Sequence, residues 1–295
     1  PPFLMLRRPP RSTLEADRRQ RQMCIRDRVE TLRRSLVKKV KGKKIVDLTI
    51  TLSTMVRRFI SIPELIRRVR GNTVVAVKRR GKSLLFILDT SDVMIVRLGM
   101  TGQLIWSTQH RPVSVDKYTH IIIHFGAEER ILFRDVRQFG EVYLTGKSEL
   151  ENILKMGTEP LKRGFTPEVL KMITASAVKI KNLLMDQRRI AGIGNIYSDE
   201  ILFEAGIHPL KQSCSLKHTE LKNLHQAIDL VLREAIACKG DTFSDYRTLS
   251  GGQGTYQHFH RVYQREGEPC RRCRGSIVRV KISGRSCHYC RNCQT

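Results

Sequence analysis

Between residues 29 and 40 apolar side chains fall at three- and four-residue steps, at Val29, Leu32, Leu36 and Val40, with basic residues filling half of the gaps. That period predicts a short amphipathic helix. The pattern then shortens. KIVDLTI (44–50) leads to TVVAVKRRGKSLLFIL (73–88), which reads as a hairpin turning at Arg80-Gly81. VMIVRLGMTGQLIW (93–106) follows, HIIIHF and RILFRD around GAEE form a second hairpin, and EVYL (141–144) closes the series. Several short strands joined by glycine-containing turns predict an antiparallel sandwich or barrel over residues 29–147, with the first helix at its flank.

After Gly157-Thr158-Glu159-Pro160 the helical period returns. Helices are expected around Pro167–Ala177, Lys179–Asp186 and Asn195–Ala205, the last two separated by the loop AGIGN. In LKHTELKNLHQAIDLVLREAIAC, Leu221, Leu224, Ile228, Val231, Leu232 and Ala235 share one face, a core-facing stripe. A glycine-rich stretch, SGGQGTYQ, then leads into a cysteine-rich tail. The pattern as a whole is α+β, with domains expected at 29–147, 158–250 and 258–295, no internal repeat and no apolar run long enough to span a membrane.

Charge adds the first functional constraint. The 295 residues carry a formal net charge of +26, a surface that attracts polyanions and releases counterions on meeting phosphates. Nucleic acid is the expected partner, against ribosome association or a basic surface with no specific partner. Five of the eight cysteines, Cys270, Cys273, Cys287, Cys290 and Cys293, crowd the C-terminal tail. That suits a metal site in a reducing compartment better than a disulfide framework. The chain has no signal-peptide pattern, and a cytoplasmic, monomeric protein is expected.

The cysteine spacing is specific. Cys270-x2-Cys273 and Cys290-x2-Cys293, separated by sixteen residues, have zinc-ribbon spacing, and four thiolates leave no open coordination position. One structural zinc is therefore expected, although Cys287-x2-Cys290 is also an allowed pair. SIVRVKISGRSCHYC between the pairs reads as a two-stranded hairpin turning at Gly284. Ala191-Gly192-Ile193-Gly194-Asn195 opens a helix whose free N–H groups can hold a phosphate, with Asn195 suited to cap it. Met100 in LGMTG and Arg137 with Phe139 in RDVRQFG sit where strands end. An apolar wedge and a planar cation there could fill the gap left by an extruded base, though such residues are ordinarily core. Alone, Lys82 reads as a surface lysine.

The order of these segments is more telling than any one of them. VETLRR (29–34), RRGKSLLF (79–86), LGMTG (98–102), DVRQFG (135–140), MDQRRIAGIGNIYSDEILFEAGIHP (185–209) and VYQREGEPCRRC with GRSCHYCRNCQ (262–294) resemble the formamidopyrimidine-DNA glycosylase family. The resemblance implies an N-terminal β-sandwich, a helix–two-turns–helix domain and a zinc finger. It implies a bacterial, nucleoid-associated base-excision enzyme that removes oxidised purines from duplex DNA and cuts the strand by β,δ-elimination. Lys82 matches the catalytic lysine and Arg285 the zinc-finger arginine at the lesion phosphates. Met100, Arg137 and Phe139 match the trio that fills the void left by the flipped base. Lys181 and Asn195 match backbone-phosphate contacts, Tyr118 stands where many members carry a DNA-contacting His, and Ser250–Tyr256 resembles the loop that covers the flipped base.

One departure is severe. The family begins Pro-Glu-Leu-Pro-Glu-Val-Glu-Thr, and the proline amine is the nucleophile while the glutamate handles protons. Counting back from Val29, those first two positions hold Cys24 and Ile25, and Arg28 replaces the glutamate before Val29. Residues 1–28 carry eight Arg, no Lys and two Pro-Pro pairs, and show no period. FLMLRRPPRSTL and RQMCIRDR resemble translated sequencing-adapter read-through, so the head reads as foreign to the protein rather than as a disordered basic tail. This exact polypeptide is expected to bind DNA with little glycosylase activity. The rival readings are an endonuclease VIII-type glycosylase for oxidised pyrimidines, a catalytically dead DNA-binding relative, and a zinc-ribbon protein of the ribosome or transcription machinery. The last explains the charge and cysteines but neither GIGNIYSDE nor RRGKSLLF.

Overall fold

The computed structural model describes residues 26–56, 60–240, 249 and 254–295. Cys24, Ile25 and the Ser250–Gln253 part of the expected base-covering loop lie outside the described residues. Helix α1 (Arg26–Val40) carries the stripe read from the sequence: Val29, Leu32, Leu36 and Val40 are all buried. The stripe joins the sandwich core, and the helix packs against both the strand Val74–Arg80 and the helix His218–Ala237.

Eight strands form the sandwich. They are β1 (Asp47–Ile50), β2 (Val74–Arg80), β3 (Ser83–Leu88), β4 (Asp92–Arg97), β5 (Gln103–Ser107), β6 (Thr119–His124), β7 (Arg130–Arg134) and β8 (Glu141–Gly146). One four-stranded sheet has the order β1-β6-β7-β5 and the other β2-β3-β4-β8, and every pairing within them is antiparallel. Phe86, Met94 and Val96 from one sheet meet Leu104, Ile121 and Phe133 from the other in a single core. The unbroken apolar run SLLFIL is explained by its two buried faces. Leu84, Phe86 and Leu88 point into the sandwich, whereas Leu85 packs with Val93, Ile95 and Tyr143 under Leu154 of α3 (Leu150–Leu154).

Helices α2 (Ile62–Val69) and α3 were not anticipated from the apolar period. The local signal for α2 is a capping one: Ser61 Oγ accepts the Glu64 N–H at 3.3 Å, and Pro63 occupies the first turn.

The helical unit comprises α4 (Pro167–Thr174), α5 (Ile180–Met185), α6 (Asn195–Ala205) and α7 (His218–Ala237). Helix α4 ends before the expected Ala177, because the Ser176 carbonyl turns to accept the Val178 N–H at 2.8 Å and the Ser213 hydroxyl. The apolar face of α7 is buried as its period requires. Helix α6 is buried on nearly every side, Ser198, Asp199 and Glu200 included. A charged, enclosed helix needs partners for its carboxylates: Asp199 finds them in Lys181 and in the C-terminal ribbon of β9 (Ile277–Ile282) and β10 (Arg285–Cys290), and Glu200 in the segment that precedes the ribbon. Among the described residues no helix is long and apolar enough to cross a membrane.

Candidate nucleic-acid interface and metal centre

The register of β2 on β3 pairs Arg80 with Ser83, leaving Gly81 and Lys82 as a two-residue turn. Gly81 has φ +55, a left-handed conformation that favours glycine, and a Cβ there would also displace the flexible end of Met156, 2.5 Å away at Sδ. Its N–H donates to Glu159, whose carboxylate is buried. Arg79 donates to Glu159 at 3.1 Å, to the Gly81 carbonyl at 2.8 Å and to Glu30 of α1 at 3.2 Å. Arg80 donates to the carbonyls of Met156 and Gly157, both at 2.9 Å. The half-buried Lys82 therefore stands on a turn clamped to the segment joining sandwich and helical unit. Burial alone would raise the Glu30 carboxyl, but hydrogen bonds and charge from Arg33, Arg34 and Arg79 hold it down at about 2.

Met100, Arg137 and Phe139 are brought together by a residue the sequence did not single out. Asp135, at the end of β7, is wholly buried, and it accepts the Thr101 hydroxyl, the Arg137 N–H at 3.2 Å and the Gly140 N–H at 2.6 Å. One carboxylate thus ties the loop after β4 to the loop after β7. The two loops touch at Gly99, where φ is +62 and a Cβ would lie 2.7 Å from the Phe139 carbonyl carbon. On this tip Phe139 remains 48% exposed, a large apolar side chain held in solvent by its backbone. Tyr118 adjoins the tip through its carbonyl, which accepts the Asp135 N–H at 2.8 Å, and Arg134 lies over its ring at 5.1 Å.

Asn195 does not cap α6. Gly194 is the cap residue, and Asn195 is the first helical residue, its Nδ2 donating to the Ser286 carbonyl of the ribbon at 3.0 Å. The preceding loop is braced by Gln187, which accepts the Gly192 N–H at 2.8 Å and donates to the Ile193 carbonyl at 2.7 Å. Lys181, expected at a backbone phosphate, has no exposed side-chain surface. Its ammonium pairs with Asp199 and donates to the Ser286 carbonyl at 3.3 Å. Arg285 is half-buried on β10, directly after the Ser283-Gly284 turn.

The sulfurs of Cys270, Cys273, Cys290 and Cys293 lie within 4.8 Å of one another. Tetrahedral zinc–thiolate bonds of about 2.3 Å place sulfurs about 3.8 Å apart. The separations of 3.8 Å for Cys270–Cys293 and 3.4 Å for Cys273–Cys290 fit such an ion. The Gly275 N–H, with neighbouring cysteine side chains, lowers the Cys273 thiol to about 7, favouring the thiolate a metal requires. Cys287 lies apart from this group; it is buried towards Asp199 and Lys181. The four cysteines form a structural zinc centre. Glu200 docks the turn segment leading into the ribbon by accepting the N–H groups of Arg261, Val262 and Tyr263 at 2.8–3.0 Å.

Comparison with known proteins gives this assembly its place. The formamidopyrimidine-DNA glycosylase N-terminal domain model matches residues 27–142, the H2TH domain model of the same glycosylases residues 156–247, and a zinc finger found in FPG and IleRS residues 267–295. These matches define a zinc-finger DNA glycosylase of base-excision repair. The chain is 40% identical to the formamidopyrimidine-DNA glycosylase of Carboxydothermus hydrogenoformans, over 90% of this chain and 97% of that one. It is 37% identical to that of Geobacillus kaustophilus with the same coverage. A complex of Lactococcus lactis Fpg with abasic-site DNA superposes with TM-score 0.83 at 32% identity, over 91% of this chain and 98% of that one. The chain belongs to the formamidopyrimidine-DNA glycosylase family.

Proposed function

We propose that this scaffold binds duplex DNA at an oxidised purine or an abasic site, releases the damaged base and cuts the strand by β,δ-elimination. The observation that carries the reading is the Met100–Arg137–Phe139 tip. A base removed from the stack leaves a void that an apolar wedge and a planar cation can fill, and Asp135 fixes both at one point. Lys82, on its clamped turn, is the proton donor or lesion-phosphate ligand. Arg285 meets the phosphates from the ribbon side, and the net charge of +26 supplies the general attraction. Solved relatives described as complexes with abasic-site DNA and with Fapy-dG-containing DNA support the substrate class.

The chemistry needs a secondary amine. Its attack on the sugar C1′ breaks the glycosidic bond and leaves an iminium, the electron sink that makes the C2′ proton acidic enough for elimination of the 3′ phosphate and then the 5′ phosphate. Cys24 and Ile25 stand where that amine and its glutamate belong. A peptide nitrogen is not a nucleophile, and Ile25 has no proton to transfer. The scaffold with this head binds DNA without turning it over, and Pro-Glu-Leu-Pro-Glu joined to Val29 restores the enzyme. The test is base release by that restored chain from duplexes carrying 8-oxoguanine or an oxidised pyrimidine. Preference for 8-oxoguanine is expected; preference for the pyrimidine lesion would replace this reading with the endonuclease VIII type.

A further inference from the structure

We propose that Lys181 is a positioning residue which, with Asp199, registers the Arg285 strand of the zinc ribbon against the helical unit, and that it does not itself meet phosphate. The pairing of β9 with β10 fixes Arg285 within the ribbon but not relative to α5 and α6. That second constraint comes from four side chains. Lys181 Nζ on α5 and Asn195 Nδ2 on α6 both donate to the Ser286 carbonyl, at 3.3 and 3.0 Å. Asp199 accepts the His288 N–H at 2.9 Å, and its carboxylate lies 3.4 Å from His288 Nδ1. Asn182 Nδ2 donates to Ser283 Oγ at 2.9 Å. Arg285 therefore sits between points held at 283, 286 and 288, each by α5 or α6.

Burial decides between positioning and direct contact. The side chains of Lys181 and Asp199 are both 0% exposed. For Lys181 to reach DNA it would have to leave the Asp199 carboxylate buried without its counter-ion, a strongly unfavourable state. The ring of Tyr263, 4.9 Å from His288, closes another side of the cluster. A long, fully paired lysine under the strand can steer its neighbour Arg285 and still stay out of the interface.

The sign of one substitution separates the two roles. Removing the negative charge of Asp199 strengthens the binding of a polyanion if charge alone matters. It weakens binding if Asp199 holds Arg285 in place. The inference rests on the DNA-binding reading above. The experiment measures the Kd of the full chain for a duplex carrying a tetrahydrofuran abasic-site analogue, together with bound zinc per chain and thermal unfolding. The variants are K181M, D199N, K181M/D199N, R285A and K181M/R285A. K181M and D199N are each expected to weaken binding by no more than R285A does. K181M added to R285A is expected to change Kd by less than about twofold, because both act through one contact. Should a single variant lose zinc through its unpaired buried charge, the double K181M/D199N decides, since it buries no charge and retains an acceptor for His288. It is expected to keep zinc and still bind weakly. Tighter or parental binding by D199N, multiplying losses from K181M and R285A, or parental affinity in K181M/D199N would overturn the proposal. A parental chain that did not bind the duplex would overturn the DNA-binding reading and this proposal with it.

Discussion

Asp135 and Glu30 are buried carboxylates that hold backbone and guanidinium groups in place, and each has a measurable signature. Asp135→Asn replaces one acceptor oxygen by a donor, leaving the Thr101 hydroxyl or an N–H of Arg137 or Gly140 unpaired. The cost is about 1–3 kcal/mol in urea unfolding, with weaker binding to lesion-containing duplex because the tip loses its brace. Glu30, held at about 2, lies below its ordinary value of 4.5. Its contribution is complete above pH 4.5 and is lost as the pH falls towards 2. Glu30→Gln therefore destabilises the protein at pH 7 by about 1–2 kcal/mol, solvent screening reducing what the full shift would give, and the gap narrows in urea titrations taken at successively lower pH. Met100, Arg137 and Phe139 were legible only through the order of surrounding motifs, because a Met or Phe at a strand end is ordinarily core. Asp135, Gln187 and Glu200 were not legible at all. Their role is to accept from N–H groups, and for Glu200 those lie about sixty residues along the chain, a relation no local period encodes.

At the level of elements, most helices and strands were readable from their apolar period, and two short helices, α2 and α3, were not. The α1 and α7 stripes and the strand segments follow from periodicity, although 93–106, read as one stretch, divides into β4 and β5, whereas α2 bears its signal in the Ser61–Glu64 cap and α3 is a single turn and a half over one sheet face. The zinc ribbon was legible from spacing alone, including its hairpin turn. Cys287 and Cys290 stood open as a rival pair until the geometry placed Cys287 towards Asp199, away from the sulfur cluster. Four thiolates around one ion replace a core that so short an element cannot build, so metal removal should unfold it. Chelation, or Cys290→Ser, is expected to release zinc, lower thermal stability and weaken DNA binding together. Loss of zinc with unchanged affinity would detach the ribbon from the interface. Gly99→Ala is expected to disrupt the tip, since the position combines φ +62 with backbone at 2.7 Å; unchanged thermal stability and unchanged affinity for lesion duplex would contradict this.

For the whole molecule, Arg79 and Glu159 join the sandwich to the helical unit beneath Lys82, and Lys181 and Asp199 join the helical unit to the ribbon beneath Arg285. Two buried ion pairs thus support the two basic residues assigned to the lesion phosphates. Binding should weaken steeply with salt, and Arg285→Ala should lower the slope of log affinity against log salt by about 1. The central claim, that this chain carries a complete glycosylase scaffold whose chemistry resides in the segment before Val29, is tested most directly by borohydride trapping on an 8-oxoguanine duplex. Hydride reduces an iminium between protein and sugar to a stable amine. The chain with Pro-Glu-Leu-Pro-Glu joined to Val29 should yield the covalent complex and cut DNA. The chain with its present head should bind equally well and yield neither. Trapping by both chains, or by neither, would contradict the account.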